Sequence, residues 1–72
     1  KSLWMKNMKE PKFATLLLGS NQTYPIYKIH YSTKLVTLIE KPWVYNTVAI
    51  SNVVFDLEGM SRQERADFLE KI

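Results

Sequence analysis

The chain lacks the residues on which most metal sites and many catalytic sites depend. It has 72 residues, no cysteine and a single histidine, His30. Without cysteine there is neither a disulfide framework nor a thiolate metal site. One histidine cannot supply a histidine-based zinc site within one chain. We therefore expect no metal and no cofactor.

Glycine is also scarce, and the carboxylates do not assemble with a base in the sequence. Gly19 and Gly59 are far apart, and neither opens a phosphate-binding loop. His30 falls on a predicted strand with no carboxylate beside it, and Asp56 and Glu58 fall on another strand between apolar residues. We interpret all three as ordinary strand residues and not as acid–base groups. The sequence predicts that the chain is not an enzyme.

Long apolar runs are missing as well. No stretch approaches the roughly 20 residues that a membrane span needs, and residues 3–5 are too short for the apolar part of a signal peptide. We expect a cytoplasmic protein that makes no membrane contact. The eight lysines against two arginines are compatible with an AT-rich bacterial or phage genome.

The length allows one domain. We predict that residues 12–72 form a single small β-rich domain, and that residues 1–11 are a flexible or helical N-terminal extension, partly a tag remnant. A chain of this size hides only about 60% of the surface that its unfolded form exposes. Self-association or a partner could add the missing burial.

The β-branched run at residues 47–57 organises the strand prediction. Val48 and Ile50 are apolar at even positions, whereas Val53 and Phe55 are apolar at odd ones. Side chains alternate between faces along a strand, so one straight strand would expose one of these sets. We expect two strands joined by a bulge or a one-turn corner at Ser51-Asn52. With the earlier apolar runs, strands are predicted at 12–18, 24–31, 35–40, 43–50 and 53–58.

The second of these strands is predicted to have two distinct faces. Simple alternation places Tyr27 and Ile29 on one face with Tyr31, and Lys28 and His30 on the other with Ile26.

A helix is predicted at residues 61–72. Ser61 and Glu64 have the spacing of a capping box. Ala66, Leu69 and Ile72 recur at helical spacing with Phe68 beside them, and we expect this stripe to pack on the sheet. The fold class is α+β: a small five-stranded antiparallel meander sheet, or an SH3-like small barrel, with one C-terminal helix.

The second option rests on a resemblance. The succession of short strands over residues 23–57, with a corner at Ser51-Asn52, is similar in rhythm to SH3-like small barrels. Because many unrelated functions use such barrels, the resemblance does not indicate a function.

We expect a small binding module, a regulator or inhibitor that binds a larger intracellular protein. The candidates for partner binding are Trp43, which follows a proline, and Tyr45 on the same strand face. The competing interpretation is that the Trp43 ring closes the core.

The alternative function is single-stranded nucleic-acid binding by stacking of bases on exposed rings in a basic groove. The net charge of +3 divides into +5 over residues 1–41 and −2 over residues 42–72, an asymmetry that a polyanion-binding face would produce. The candidate residues for nucleic-acid binding are Lys28, His30, Lys34 and Lys41, which lie near Tyr24, Tyr27 and Tyr31 in the sequence.

Overall fold

The computed structural model describes residues 8–72. Five strands precede one α-helix, with the bounds β1 Phe13–Leu16, β2 Thr23–His30, β3 Leu35–Lys41, β4 Val44–Ala49, β5 Val53–Phe55 and α1 Arg62–Lys71. All paired strands are antiparallel. The predicted α+β fold, a five-stranded antiparallel sheet with one C-terminal helix, is confirmed.

The strands lie in the order β4-β3-β2-β1-β5. The first four follow the chain as a meander, whereas β5 returns to pair with β1, placing Val54 opposite Thr15. Strands β4 and β5 are therefore the two edges, and no pairing within residues 8–72 joins them. The sheet is open, so the meander describes it and a closed SH3-like barrel does not.

Two strands end at least two residues earlier than predicted. β1 stops at Leu16, although the amide of the next residue still donates to the carbonyl of Asn52 at 2.9 Å, on the side of β5. β5 stops at Phe55 because the Asp56 carboxylate accepts from the amide of Glu58 at 3.0 Å. Such local side-chain bonds offer the backbone an alternative to the ladder.

The predicted corner is confirmed. A single 3-10 turn, Ile50–Asn52, joins β4 to β5, and the amide of Val53 donates to the carbonyl of Ile50. This turn changes the chain direction between the two apolar sets. Val48 before it packs against the core, and Val53 after it lies within the core.

The predicted faces of β2 are wrong at its centre. Ile26 pairs with Leu38 but Lys28 pairs with Thr37, so Tyr27 is an extra residue in a β-bulge. A bulge shifts the alternation by one residue. Consequently Ile26 and Ile29 both pack on the core side, and Tyr27 is 62% exposed.

The core lies between one face of the sheet and α1. The buried side chains come from every strand except β4, together with Met60 and the helix, and they are Ala14, Leu16, Ile29, Val36, Leu38, Val53, Met60 and Phe68. Ile72 and Val48 pack against this cluster. Side chains from both halves of the sheet therefore pack into one cluster on the same face.

The capping box of α1 is confirmed, and of the predicted apolar stripe Phe68 and Ile72 pack on the core whereas the prediction is wrong for Ala66 and Leu69. Ser61 Oγ accepts from the amide of Glu64 at 3.1 Å, and the Glu64 carboxylate accepts from the amide of Ser61 at 2.8 Å. Only Phe68 of the helix is buried, whereas Ala66 and Leu69 are exposed. No helix within residues 8–72 is long and apolar enough to cross a lipid bilayer.

Phe68 sets the orientation of α1. Its ring meets Phe55 edge-on at a centroid distance of 5.0 Å and Tyr31 at 6.4 Å. Lys71, one turn further, places its Nζ 5.7 Å from the centre of the Tyr31 ring. The inward side of the helix therefore follows positions 64, 68, 71 and 72, because these residues lie above one another on a 3.6-residue period.

The segment that leads into β1 is fixed to the domain. Pro11 is buried, the Tyr31 hydroxyl donates to the Glu10 carboxylate, and Lys9 Nζ donates to the carbonyl of Gly59 at 3.0 Å. Residues 8–11 have no helical structure. Residues 1–7 of the predicted N-terminal extension lie outside the described residues.

Candidate functional site

The sheet surface that faces away from the core is the outer face. On β2, β3 and β4 its side chains follow from the cross-strand register, in which Lys28 pairs with Thr37 and Thr37 with Thr47. Their neighbours on the same side complete a surface of nine residues without a carboxylate: Tyr27, Lys28, His30, Leu35, Thr37, Ile39, Tyr45, Thr47 and Ala49.

A chain of polar contacts crosses the middle of the outer face. His30 Nε2 lies 3.0 Å from Thr37 Oγ1, which lies 2.8 Å from Thr47 Oγ1. Thr37 is only 8% exposed, so these partners satisfy a nearly buried hydroxyl. The imidazole bonds to a hydroxyl and not to a carboxylate. The arrangement stabilises strand pairing and does not build an acid–base pair.

Tyr27 and Tyr45 meet above β3, which lies between their strands β2 and β4. Their ring centroids are 4.8 Å apart and the planes are inclined by 51°. Tyr27 is 62% exposed and Tyr45 is 48% exposed. The bulge in β2 makes this contact, because it turns Tyr27 to the outer face. The pair is a rigid aromatic surface with few rotatable bonds to immobilise on binding.

Trp43 occupies the tip of the hairpin between β3 and β4. Lys41 pairs with Val44, so Pro42 and Trp43 form a two-residue turn. Trp43 has a φ of 67°, and proline followed by a residue with positive φ is the pattern of a type II turn. The ring is 87% exposed. The interpretation of Trp43 as a core side chain is therefore wrong.

The backbone at Trp43 is the unusual feature of this turn. A positive φ is uncommon for a bulky residue, and a type II turn normally has Gly or Asn at this position. The left-handed conformation costs roughly 1–2 kcal/mol for a residue with a Cβ. Neither the turn nor the core accounts for a tryptophan here, and such local strain is found preferentially at binding and active sites.

The lysines predicted for nucleic-acid binding do not form one cluster. Lys28 lies on the outer face of β2. Lys34 is the last residue of the turn between β2 and β3, and it lies beside His30 because the next residue, Leu35, is the cross-strand partner of His30. Lys41 lies at the opposite end of β3, which puts it roughly 20 Å from Lys34 at 3.3 Å per residue. All three lysines are exposed.

The aromatic residues near these lysines have different environments. Tyr24 is half-buried against the core, and its hydroxyl donates to the Gln22 side chain at 3.0 Å. Tyr31 is also half-buried, and burial together with the Glu10 carboxylate raises its pKa. Tyr27 is thus the one member of the predicted set of Tyr24, Tyr27 and Tyr31 that is freely exposed.

The remaining acidic groups give no competing site. Asp56 and Glu58 are exposed, and Asp56 is used in the local turn that ends β5. In the described part of the chain no three potential metal ligands converge. An open cleft of about 390 Å³ lies between residues 9–13 and 56–60, where Lys9 already bonds the carbonyl of Gly59.

A second exposed apolar surface lies on β1 and β5. Phe13, Leu17 and Val54 are 44%, 47% and 55% exposed. These residues are on the other half of the sheet from Trp43, and none of their backbone angles is unusual. This surface supplies control positions for tests of the outer face.

Sequence reasoning missed Tyr27 as a partner of Tyr45. The contact depends on the β2 bulge, and the residues around it, Pro25 to Lys28, contain no glycine or other signal for an extra residue. The neighbouring proline is the one irregularity in the pattern.

No protein-family model, curated protein or solved structure matches this chain.

Proposed function

We propose that this chain is a small non-enzymatic binding module, a regulator or inhibitor of a larger intracellular protein of bacterial or phage origin. We assign its binding surface, called the aromatic surface below, to the Tyr27–Tyr45 pair together with Trp43 at the tip of the adjoining hairpin. The observation that carries the proposal is Trp43, which is 87% exposed in a left-handed backbone conformation. Exposed tryptophan and tyrosine are the residue types that most often dominate protein interfaces.

The aromatic surface has the features of an interface centre. Tyr27 and Tyr45 hold each other in place, so little conformational entropy is lost when a partner covers them. The polar groups around them, Thr37 and Thr47, are satisfied by each other. A partner can therefore cover this surface without leaving those hydroxyls unpaired.

The test is affinity capture from host lysate, followed by calorimetry with the purified partner. Trp43→Gly should lower partner affinity at least 30-fold, which corresponds to a hot-spot contribution of about 2 kcal/mol. The control is Val54→Thr, which replaces a methyl group of an exposed apolar side chain on the other half of the sheet by a hydroxyl of similar size. The control should bind like the wild type.

The opposite pattern would refute this surface. If Val54→Thr abolished capture and Trp43→Gly did not, the partner would occupy the face of β1 and β5. Equal capture by wild type and both variants would remove both apolar surfaces from the proposal.

Single-stranded nucleic-acid binding is the second candidate, and the observation that favours it is the outer face without a carboxylate. Lys28 lies beside the exposed Tyr27 there. Two features favour a protein partner instead. The Tyr27 and Tyr45 rings pack on each other at 4.8 Å, which reduces the π-surface open to base stacking, and the lysines are spread along the full length of β3.

Fluorescence anisotropy with labelled oligonucleotides separates the two candidates. Nucleic-acid binding predicts a steep loss of affinity with salt and weaker binding by Lys28→Glu and Lys34→Glu. The protein-binding proposal predicts no complex of micromolar strength at physiological salt. A complex with single strands that still has micromolar affinity at physiological salt, and that is lost on charge reversal, would overturn it.

A further inference from the structure

Strand β4 has a free edge. The amide of Ile50 donates to the carbonyl of Lys34 at 3.0 Å, and hydrogen bonding alternates along an antiparallel strand. Tyr45, Thr47 and Ala49 therefore direct their N–H and C=O groups away from β3. Within residues 8–72 no strand pairs with β4 on that side.

The side chains of β4 give none of the usual protection against strand addition, and the bulge in its ladder lies on β3, at Glu40. Edge strands are commonly blunted by lysine, by proline, by charged side chains or by being very short. β4 has six residues, reading Val-Tyr-Asn-Thr-Val-Ala, with no charge and no proline. The other edge, β5, has only three residues and is followed by the charged Asp56. The protection is thus present at one edge and missing at the other.

The free edge and the aromatic surface coincide. Tyr45, Thr47 and Ala49 contribute both the unpaired backbone groups and their side chains on the outer face. A strand added to β4 would therefore place its alternate side chains next to Tyr45. Such addition combines backbone hydrogen bonds for affinity with side-chain pockets for specificity.

The charge around the edge identifies the occupant. The outer face has Lys28 and no carboxylate, and Lys34 and Lys41 lie at the two ends of β3. The Glu40 carboxylate, beside Lys41, accepts from the side chain of Asn46 at 2.6 Å, and the cross-strand partner of Asn46 is the buried Leu38. A second copy would bring the same lysines towards each other, and like charges disfavour that pairing. An acidic segment is complementary to the same surface.

We propose that β4 binds an extended acidic segment of the partner protein as a sixth strand. The segment has about six residues, with apolar side chains at alternate positions over Tyr45 and acidic residues towards the lysines. This inference rests on the proposed function, since it names the binding mode and partner chemistry of the same surface.

Ala49→Pro is the variant that separates edge pairing from contact with the face. Ala49 has a φ of −68° and follows a residue in extended conformation, so proline fits the backbone there. Its N–H points away from β3, so the substitution removes no hydrogen bond within the sheet. The matched control is Ala49→Ser, which keeps the N–H.

The probe is a set of decapeptides selected from a random displayed library on the immobilised full chain. We expect binders with alternating apolar residues and a net negative charge. Ala49→Pro should lower their affinity at least tenfold, whereas Ala49→Ser should bind as the wild type. In hydrogen-exchange NMR, the bound peptide should slow exchange of the amides of Tyr45, Thr47 and Ala49.

The other outcomes overturn the inference in distinguishable ways. Binding lost in Trp43→Gly but unaffected by Ala49→Pro, with no new amide protection, would refute strand addition and leave the proposed function standing. Neutral or basic binders would refute the acidic chemistry. Self-association abolished by Ala49→Pro, with no peptide selected, would make the occupant a second copy. Oligonucleotide binding of micromolar strength at physiological salt would refute both proposals.

Discussion

Replacing Trp43 by glycine should remove a binding residue without loss of stability. The ring is 87% exposed, so about 30 Å² of it is covered, and losing this contact costs about 0.8 kcal/mol. Glycine relieves the left-handed strain of about 1–2 kcal/mol but adds about 0.5–1 kcal/mol of freedom to the unfolded chain. These effects nearly cancel for Trp43→Gly.

Trp43→Ala supplies the comparison that isolates the backbone. Alanine loses the same contacts but keeps the Cβ and therefore the strain. It should be less stable than the wild type and than Trp43→Gly by about 1 kcal/mol, which is about 4–8 °C in melting temperature for a domain of this size. Urea unfolding followed by far-ultraviolet circular dichroism measures both variants without relying on tryptophan fluorescence.

The second hairpin provides an independent control for this reasoning. Lys34 also has a positive φ, of 61°, so Lys34→Gly should likewise be more stable than Lys34→Ala. If Trp43→Ala proved as stable as Trp43→Gly while the Lys34 pair differed, the Trp43 backbone would not be strained. The reason given for its role in binding would then be refuted.

Three further predictions concern the fold. Phe68→Ala truncates a fully buried ring and should lower the free energy of unfolding by about 3–5 kcal/mol. Because a chain of this length has a total stability of about 4–11 kcal/mol, circular dichroism should show that much or all of the structure is lost. A variant with native stability would contradict the packing of this ring. Ser61→Ala breaks the capping box and should cost about 1 kcal/mol, measured by urea unfolding; no change would mean that the cap is dispensable. Burial, and then the Glu10 carboxylate, raise the pKa of Tyr31, so the folded state holds the phenolic proton more tightly than the unfolded chain does. The contribution of this proton to folding stability is therefore complete below a pH of about 10 and declines above it. Tyr31→Phe should abolish that part of the alkaline decline, and a wild-type-minus-variant difference that stays constant from pH 8 to 11 would contradict it.

Local signals in the sequence predicted what depends on neighbouring residues. The capping box at Ser61 and Glu64 needs only two side chains three positions apart. The corner at Ser51-Asn52 follows from a change in apolar parity between Val48 and Val53. In each case the determining interaction lies within a few residues, so the pattern contains it.

Other features depend on distant parts of the chain and could not be predicted in this way. The bulge at Tyr27 exists because Ile26 and Lys28 pair with adjacent residues of β3, which no alternation within β2 reveals. The helix turns Phe68 inward, and not Leu69, because the rings of Tyr31 and Phe55 are there to receive it. Spacing alone made both helix faces acceptable.

The candidate site likewise has a part that the sequence predicted and a part that it could not predict. The sequence pointed to Trp43 and Tyr45 but left two interpretations for Trp43, anchor or core. Exposure depends on where the β3–β4 hairpin ends relative to the core, which is a tertiary property. The contribution of Tyr27 was not predicted, since it depends on the bulge.

Two departures from locally favourable sequence lie on one hairpin. Trp43 occupies a position that glycine would fill with less strain, and β4 lacks the charged or proline residues that protect an edge. Elsewhere in the described chain Lys34 also takes a positive φ, in the turn between β2 and β3, whereas Gly19 and Asn21 are residues that tolerate one and β5 is short. Sequences depart from local rules chiefly where function requires it. Two such departures on one element therefore favour a shared cause, a partner that pairs with β4 and covers the Trp43 ring.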